Sequence, residues 1–121
     1  MVAGSVPGPI SVPEAIAFDG TNLWVTVTNG SVGYLIKMRP SDGQFLAIVV
    51  TVATNEICRG VAFDGTNIWV TCPTSNAVIK YRASDAANLG VFSVGLSPWG
   101  IAFDGIGMWI ANNGAGTLSR R

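Results

Sequence analysis

The sequence predicts an all-β fold built from repeated four-stranded units, and three observations carry that prediction. The phrase Ala17-Phe-Asp-Gly-Thr-Asn-Leu-Trp24 recurs as Ala62-Phe-Asp-Gly-Thr-Asn-Ile-Trp69 and as Ala102-Phe-Asp-Gly-Ile-Gly-Met-Trp109. Phe18, Phe63 and Phe103 stand 45 and 40 residues apart, the mark of an internal repeat. Short apolar runs alternate with turn clusters, and no stretch holds helical periodicity long enough to compete.

The elements follow in order. Residues 1–14 contain Pro7, Pro9 and Pro13, which argue against a helix or central strand there and leave room for an edge strand. The first unit places strands at Ala15–Phe18, Leu23–Val27, Gly33–Arg39 and Gln44–Val52, with turns at Asp19–Asn22, Thr28–Ser31 and Pro40–Gly43. The second places them at Gly60–Phe63, Ile68–Cys72, Ala77–Arg82 and Leu89–Val94. The third has Gly100–Phe103, Met108–Ala111 and a rudimentary strand near Gly116–Arg120, and no fourth. A four-stranded unit of this period is a β-propeller blade, whose twisted sheet buries both faces against its neighbours. The blades are expected at 13–57, 58–97 and 98–121, within a single domain of 121 residues. Phe18, Trp24, Phe63, Trp69, Phe103 and Trp109 form the expected repeat core, the indoles filling the wedge between diverging sheets.

Composition narrows the partners. The chain is 49 % hydrophobic and only 12 % charged, with seven basic and seven acidic residues. That balance offers no basic stripe for phosphates, so nucleic acid is not an expected partner. The apolar runs are far shorter than the roughly 18 residues a membrane helix needs, so no membrane span is expected. The first residues show neither a basic nor an apolar leader segment, so no signal peptide is read. No cofactor is expected either. With no His and two Cys, zinc and histidine-based catalytic sites are not expected. The Asp-Gly-Thr-Asn turns do not read as calcium loops, because the third copy, Asp104-Gly-Ile-Gly107, has lost its oxygen donors. Asn29-Gly-Ser31 is a formal glycosylation acceptor that reads better as a tight turn.

Two features stand outside the frame. Cys58 and Cys72 fall nearly opposite each other when the second unit folds about its turn, where the other units carry Pro13 with Val27 and Pro98 with Asn112. Two readings stay open: a pair of buried thiols, or a disulfide that implies an oxidising compartment. The other feature is a varying position before each innermost strand, occupied by Glu14, Arg59 and Trp99. In a propeller these residues ring one mouth of the central channel, together with loops bearing Asn29, Asn76, Asn112 and Asn113. A carboxylate, a guanidinium, an indole and several amides make a cup for a polar ligand such as a glycan, or for a protein. The bland reading is that Glu14 and Arg59 are solvated or paired and that Trp99 packs on a neighbour.

The segment from Pro13 to Thr26, with its counterparts from Cys58 and Pro98, resembles the bacterial β-propellers of the YVTN, NHL and virginiamycin-B-lyase-like group. Asn76–Lys80, Arg82–Asp85 and Arg39–Gly43 match the later parts of that blade pattern. The resemblance covers residues 13–121 and implies a propeller of six or seven blades, of which under three are present here. It also implies an extracellular or periplasmic setting. The lyase members use histidines with a metal, and no residue here can inherit that role. The resulting expectation is a non-enzymatic scaffold or binding module. Its rivals are a lyase or hydrolase with Glu14 and Arg59 as acid/base and electrophile, and a structural piece of a longer propeller. An open arc is expected to close into six blades as a homodimer, with residues 5–12 serving as the outer strand of a partner's last blade.

Overall fold

A computed structural model of the chain describes residues 11–30, 32–50 and 57–121. Three antiparallel sheets follow one another along the sequence. The first is formed by β1 (Ser11–Phe18), β2 (Leu23–Asn29), β3 (Val32–Met38) and β4 (Phe45–Val50), in that order. The second repeats the order with β5 (Val61–Phe63), β6 (Asn67–Cys72), β7 (Ala77–Arg82) and β8 (Asn88–Ser93). The third has three strands, β9 (Pro98–Phe103), β10 (Met108–Asn112) and β11 (Thr117–Arg120). The first strands of successive sheets lie beside one another, so the blades fan out from β1, β5 and β9.

The repeated turn explains why each blade starts alike. Asp19, Asp64 and Asp104 each accept two backbone N–H groups on Oδ1, from the residues two and three positions on. The second oxygen, Oδ2, accepts the indole N–H of Trp24, Trp69 or Trp109 at 2.8 Å in all three copies. Gly20, Gly65 and Gly105 follow with φ near the same left-handed value, +94°, +98° and +97°, which side chains resist. One carboxylate therefore closes the hairpin and also fixes the ring that the blade presents to its neighbour. A cation completes the unit from the adjoining strand. Lys37, Lys80 and Arg120 pair in register with Trp24, Trp69 and Trp109, and their charges sit 5.3, 5.2 and 5.6 Å from the ring centroids.

Alternation along the strands gives every blade two apolar faces. The onward face of the first blade carries Ala17, Trp24 and Leu35, which pack on Val61, Ile68, Val70, Ile79 and Tyr81 of the second. The onward face of the second carries Ala62, Trp69 and Val78, which pack on Ile101, Phe103, Met108 and Ile110 of the third. Trp24 is fully buried and Trp69 nearly so. Among the described residues no further blade lies beside Trp109 or before Phe18, and they remain 39 % and 57 % exposed. Both were expected in the core, and their exposure follows from their places at the two ends of the arc.

Residues 5–10 of the expected exchanged strand lie outside the described residues. Ser11 and Val12 extend the chain's own innermost strand, where they pair with Asn29 and Thr28.

Replacing Trp69 by Ala is expected to cost about 3–5 kcal/mol, because it opens a cavity between the second and third blades. A denaturant midpoint that moves by the equivalent of less than about 1 kcal/mol would remove Trp69 from the core. The turn carboxylates predict acid sensitivity. Hydrogen bonds from Gly107, Trp109 and Ile106 hold Asp104 at about 2, below the ordinary 3.8. Burial raises Asp19 and Asp64, but the bonds from their turn amides and indoles outweigh it and leave both lowered. Since the folded values lie below the unfolded ones, this stability is complete above about pH 4 and drains as pH falls toward about 2. Unfolding curves across that range, with carboxyl NMR titration of Asp104, test the sign and the site.

Candidate functional site

The three varying residues share one backbone feature. In β1 the register runs from Pro13 opposite Val27 to Ala15 opposite Thr26, leaving Glu14 as an extra, unpaired residue. In β9 it runs from Pro98 opposite Asn112 to Ile101 opposite Ile110, so Trp99 and Gly100 together face Ala111. At the start of the second blade, the N–H of Arg59 donates to the Thr71 carbonyl, and the N–H of Thr71 donates to the carbonyl of Gly60. Each blade thus bulges at the same point, and the bulge re-aims one side chain out of the pleat. Glu14 and Trp99 lie within their strands rather than just before them, which corrects the sequence expectation.

These side chains meet. Arg59 Nη1 lies 3.0 Å from Glu14 Oε2, and the Arg59 guanidinium carbon stands 4.6 Å from the Trp99 ring centroid. Thr28 donates its hydroxyl to the other oxygen, Glu14 Oε1, at 3.1 Å. The result is a chain running around the arc, from carboxylate to guanidinium to indole, one member per blade. It borders a concavity of about 350 Å³ whose wall includes Glu14, Arg59, Gly60, Val61, Trp99 and Ile101. The ion pair is only partly exposed, with side chains at 21 % and 30 %, while Trp99 leaves 46 % of its surface open.

Below the surface a second contact ties the blades. Thr26, fully buried, donates its hydroxyl to the carbonyl of Arg59. Thr71, also fully buried, accepts the N–H of Gly60 at 2.8 Å and donates to the carbonyl of Trp99 at 2.7 Å. The bulge leaves those carbonyls out of the ladder, and a hydroxyl from the preceding blade satisfies them. Gly60 is required here, since a Cβ would come within 2.2 Å of the Trp99 carbonyl oxygen. Sequence reading missed these threonines. Their signal was present, because each stands two residues after the repeat tryptophan.

The asparagines divide. Asn76, in a left-handed conformation at φ +54°, accepts the N–H of Ser97 on Oδ1 and so braces the approach to the third blade. Asn112 is buried, with its amide donating to Thr117 and Ser119, while Oδ1 has no partner among the described residues. Asn112 and Asn113 border a separate concavity of about 450 Å³ that shares Trp99 with the first. Asn29 closes β2, pairing with Ser11 and Val32. None of the four lines the concavity at the ion pair. Cys58 and Cys72 are joined as a disulfide, with Cα atoms 4.1 Å apart and both residues buried in the first inter-blade core. Among the described residues no group of three or more His, Cys, Asp or Glu gathers to hold a metal, and no helix is long and apolar enough to cross a membrane.

No protein-family model matches the chain, and no curated protein matches it. Solved structures do, and they are propeller-type folds. Hydrazine synthase of Kuenenia stuttgartiensis aligns at TM-score 0.70 and 18 % identity, over 99 % of this chain and 38 % of that one. Glutaminyl cyclase of Myxococcus xanthus aligns at 0.67 and 12 %, over 91 % of this chain and 50 % of that one. A candidate 6-phosphogluconolactonase of Bacteroides uniformis aligns at 0.66 and 12 %, over 87 % and 37 %. The chain spans half or less of each. At such identities the likeness concerns the fold alone, and the fold is that of β-propeller blades.

Replacing Thr71 by Ala is expected to destabilise the protein by about 1–3 kcal/mol, because the Trp99 carbonyl and the Gly60 N–H both lose their partner. Thr71→Ser should restore most of the loss. Equal melting of Thr71→Ala and the parent would show that the hydroxyl does not join the blades.

Proposed function

We propose that the chain is a non-enzymatic β-propeller binding module, akin to the YVTN, NHL and virginiamycin-B-lyase-like propellers, that holds a polar ligand at the mouth marked by Glu14, Arg59 and Trp99. One observation carries the reading. Glu14, Arg59 and Trp99 differ from blade to blade at one equivalent position and yet converge, while the turn and core around them repeat. The contacts among them favour binding over mere packing. Arg59 is held by Glu14 and in turn braces Trp99, so an exposed indole is fixed before any ligand arrives, which lowers the ordering cost of association.

A glycan suits this surface, since its C–H face can stack on the ring while its hydroxyls reach the carboxylate and guanidinium. A polar protein segment is the other occupant of the same kind. The acid/base alternative draws less support. Among the described residues Glu14 is the carboxylate that borders the concavity, and it already accepts from Arg59 and Thr28. An arc of three blades supplies part of a ring, and the reading includes a homo-oligomer that supplies the rest.

The test is a panel of oligosaccharides screened by calorimetry or on an array. For any sugar that binds, Trp99→Ala is expected to weaken affinity by about tenfold or more, ~1.4 kcal/mol. A sugar bound equally well by Trp99→Ala would move the site away from the mouth.

A further inference from the structure

The three bulges are held on their far side in different ways. In the first blade the ladder continues past Glu14, with Val12 opposite Thr28 and Ser11 opposite Asn29. In the third it continues past Trp99, where the N–H of Asn113 donates to the Ser97 carbonyl at 2.9 Å and that of Gly114 to the Leu96 carbonyl at 3.0 Å. The second blade has no such continuation among the described residues. Its ladder starts only after the bulge, at Val61 opposite Val70. One residue accounts for the difference. Pro73 occupies the position that Thr28 and Asn113 hold in the other blades. A proline has no N–H to donate, so the bond that Asn113 makes cannot form there.

The disulfide falls at this same point. Cys58 immediately precedes Arg59, and Cys72 immediately precedes Pro73. The equivalent residues are ladder pairs in the other blades, Pro13 with Val27 and Pro98 with Asn112. We propose that the Cys58–Cys72 disulfide is a positioning element for the mouth, taking over from the missing ladder and holding Arg59 in line between Glu14 and Trp99. This rests on the reading of those three residues as a binding mouth, and it assigns ligand binding there to the oxidised chain.

Arg59 needs a hold on both of its sides. On one side its N–H donates to the Thr71 carbonyl, its carbonyl accepts from Thr26, and Gly60 donates to the Thr71 hydroxyl. On the other side, beyond Cys58, the Ile57 N–H donates to the Thr74 hydroxyl through an exposed bond of 3.2 Å. Arg59 is also the middle member of the mouth, touching both Glu14 and Trp99. A displaced Arg59 would break both contacts at once, whereas a displaced Glu14 or Trp99 would break one. The cross-link therefore sits on the blade where a loose bulge would disturb the mouth most. Both cysteines are fully buried, so the link is a standing brace with little access for passing thiols. Without it, the cost of ordering Arg59 falls on the ligand.

Two disulfide-free forms test the brace. Cys58→Pro with Cys72→Val installs the pair that the first blade uses, and the parent folded in a phosphine reductant keeps both side chains as thiols. The readout is the NMR signal of the Arg59 Nε–H, assigned by its loss in Arg59→Lys and displaced by the Trp99 ring current from the free-arginine position. Arg120, 5.6 Å from the Trp109 ring centroid, serves as the control for the fold. In both forms the Arg59 signal should move to the free-arginine position while the Arg120 signal stays. An Arg59 signal unmoved in either form, or moved together with that of Arg120, would overturn the brace. Adding Pro73→Asn to the double variant restores an N–H and should return the Arg59 signal toward its parent position; no return would show that the disulfide does not stand in for the ladder. For any sugar the parent binds, loss of the disulfide should weaken affinity by about three- to tenfold. Unchanged affinity would overturn the assignment of binding to the oxidised chain. A sugar panel without a binder, or one bound equally by Trp99→Ala, would remove the mouth reading, and the Arg59 signal would still decide the brace.

Discussion

A twisted sheet with two apolar faces has no stable existence in water until both are covered, and every other feature of this chain answers that constraint. Each blade covers its neighbour with one indole, one small residue and one aliphatic side chain from three successive strands. The indole has to be held at a fixed depth, or the faces would not meet. The turn aspartate supplies that hold through Oδ2 while its other oxygen closes the hairpin. Propagating the fold thus requires little more than repeating the Asp-Gly turn with its tryptophan. That is why eight residues suffice to name the architecture.

Much of the fold was legible for this reason. Periodicity and turn chemistry placed all eleven strands within a few residues, and the register that set Cys58 against Cys72 is the one the other blades show for Pro13 with Val27 and Pro98 with Asn112. Less of the site was legible. Glu14, Arg59 and Trp99 could be singled out by variation, but their mutual contacts depend on a bulge, and a one-residue insertion leaves no periodic trace in so short a strand. The asparagines were grouped by loop position alone. The structure separates them because Asn112 points into the packed interior of the last junction, whereas Asn76 serves the backbone of the next blade. Phe18 and Trp109 misled for a different reason. Sequence repeats reveal which residues a blade would bury, not whether a neighbour is present to bury them.

The mouth shows how charge is tolerated in so apolar a chain. Glu14 and Arg59 are partly buried, a position in which an unpaired charge would be costly. Each neutralises the other across a blade boundary, and the threonine at position 28 takes up the remaining carboxylate oxygen. The arrangement contributes little to stability by itself, since partly solvated ion pairs typically bring about 0–1 kcal/mol. Its effect is to fix direction. A guanidinium anchored at one end stands over an indole at the other, so the mouth has a defined relief.

The bulge has a wider consequence. Because residues 14, 59 and 99 sit at the bulge, where two residues of one strand face one of the next, their side chains lie outside the alternation that sorts the others between the two faces. The positions that determine what the rim touches are therefore uncoupled from those that determine whether the chain folds. A repeat duplicated with its turn, tryptophan and threonine intact can carry any side chain at that point. Such a scaffold is a row of interchangeable sockets, and new recognition surfaces become accessible by single substitutions with no repacking of the interior.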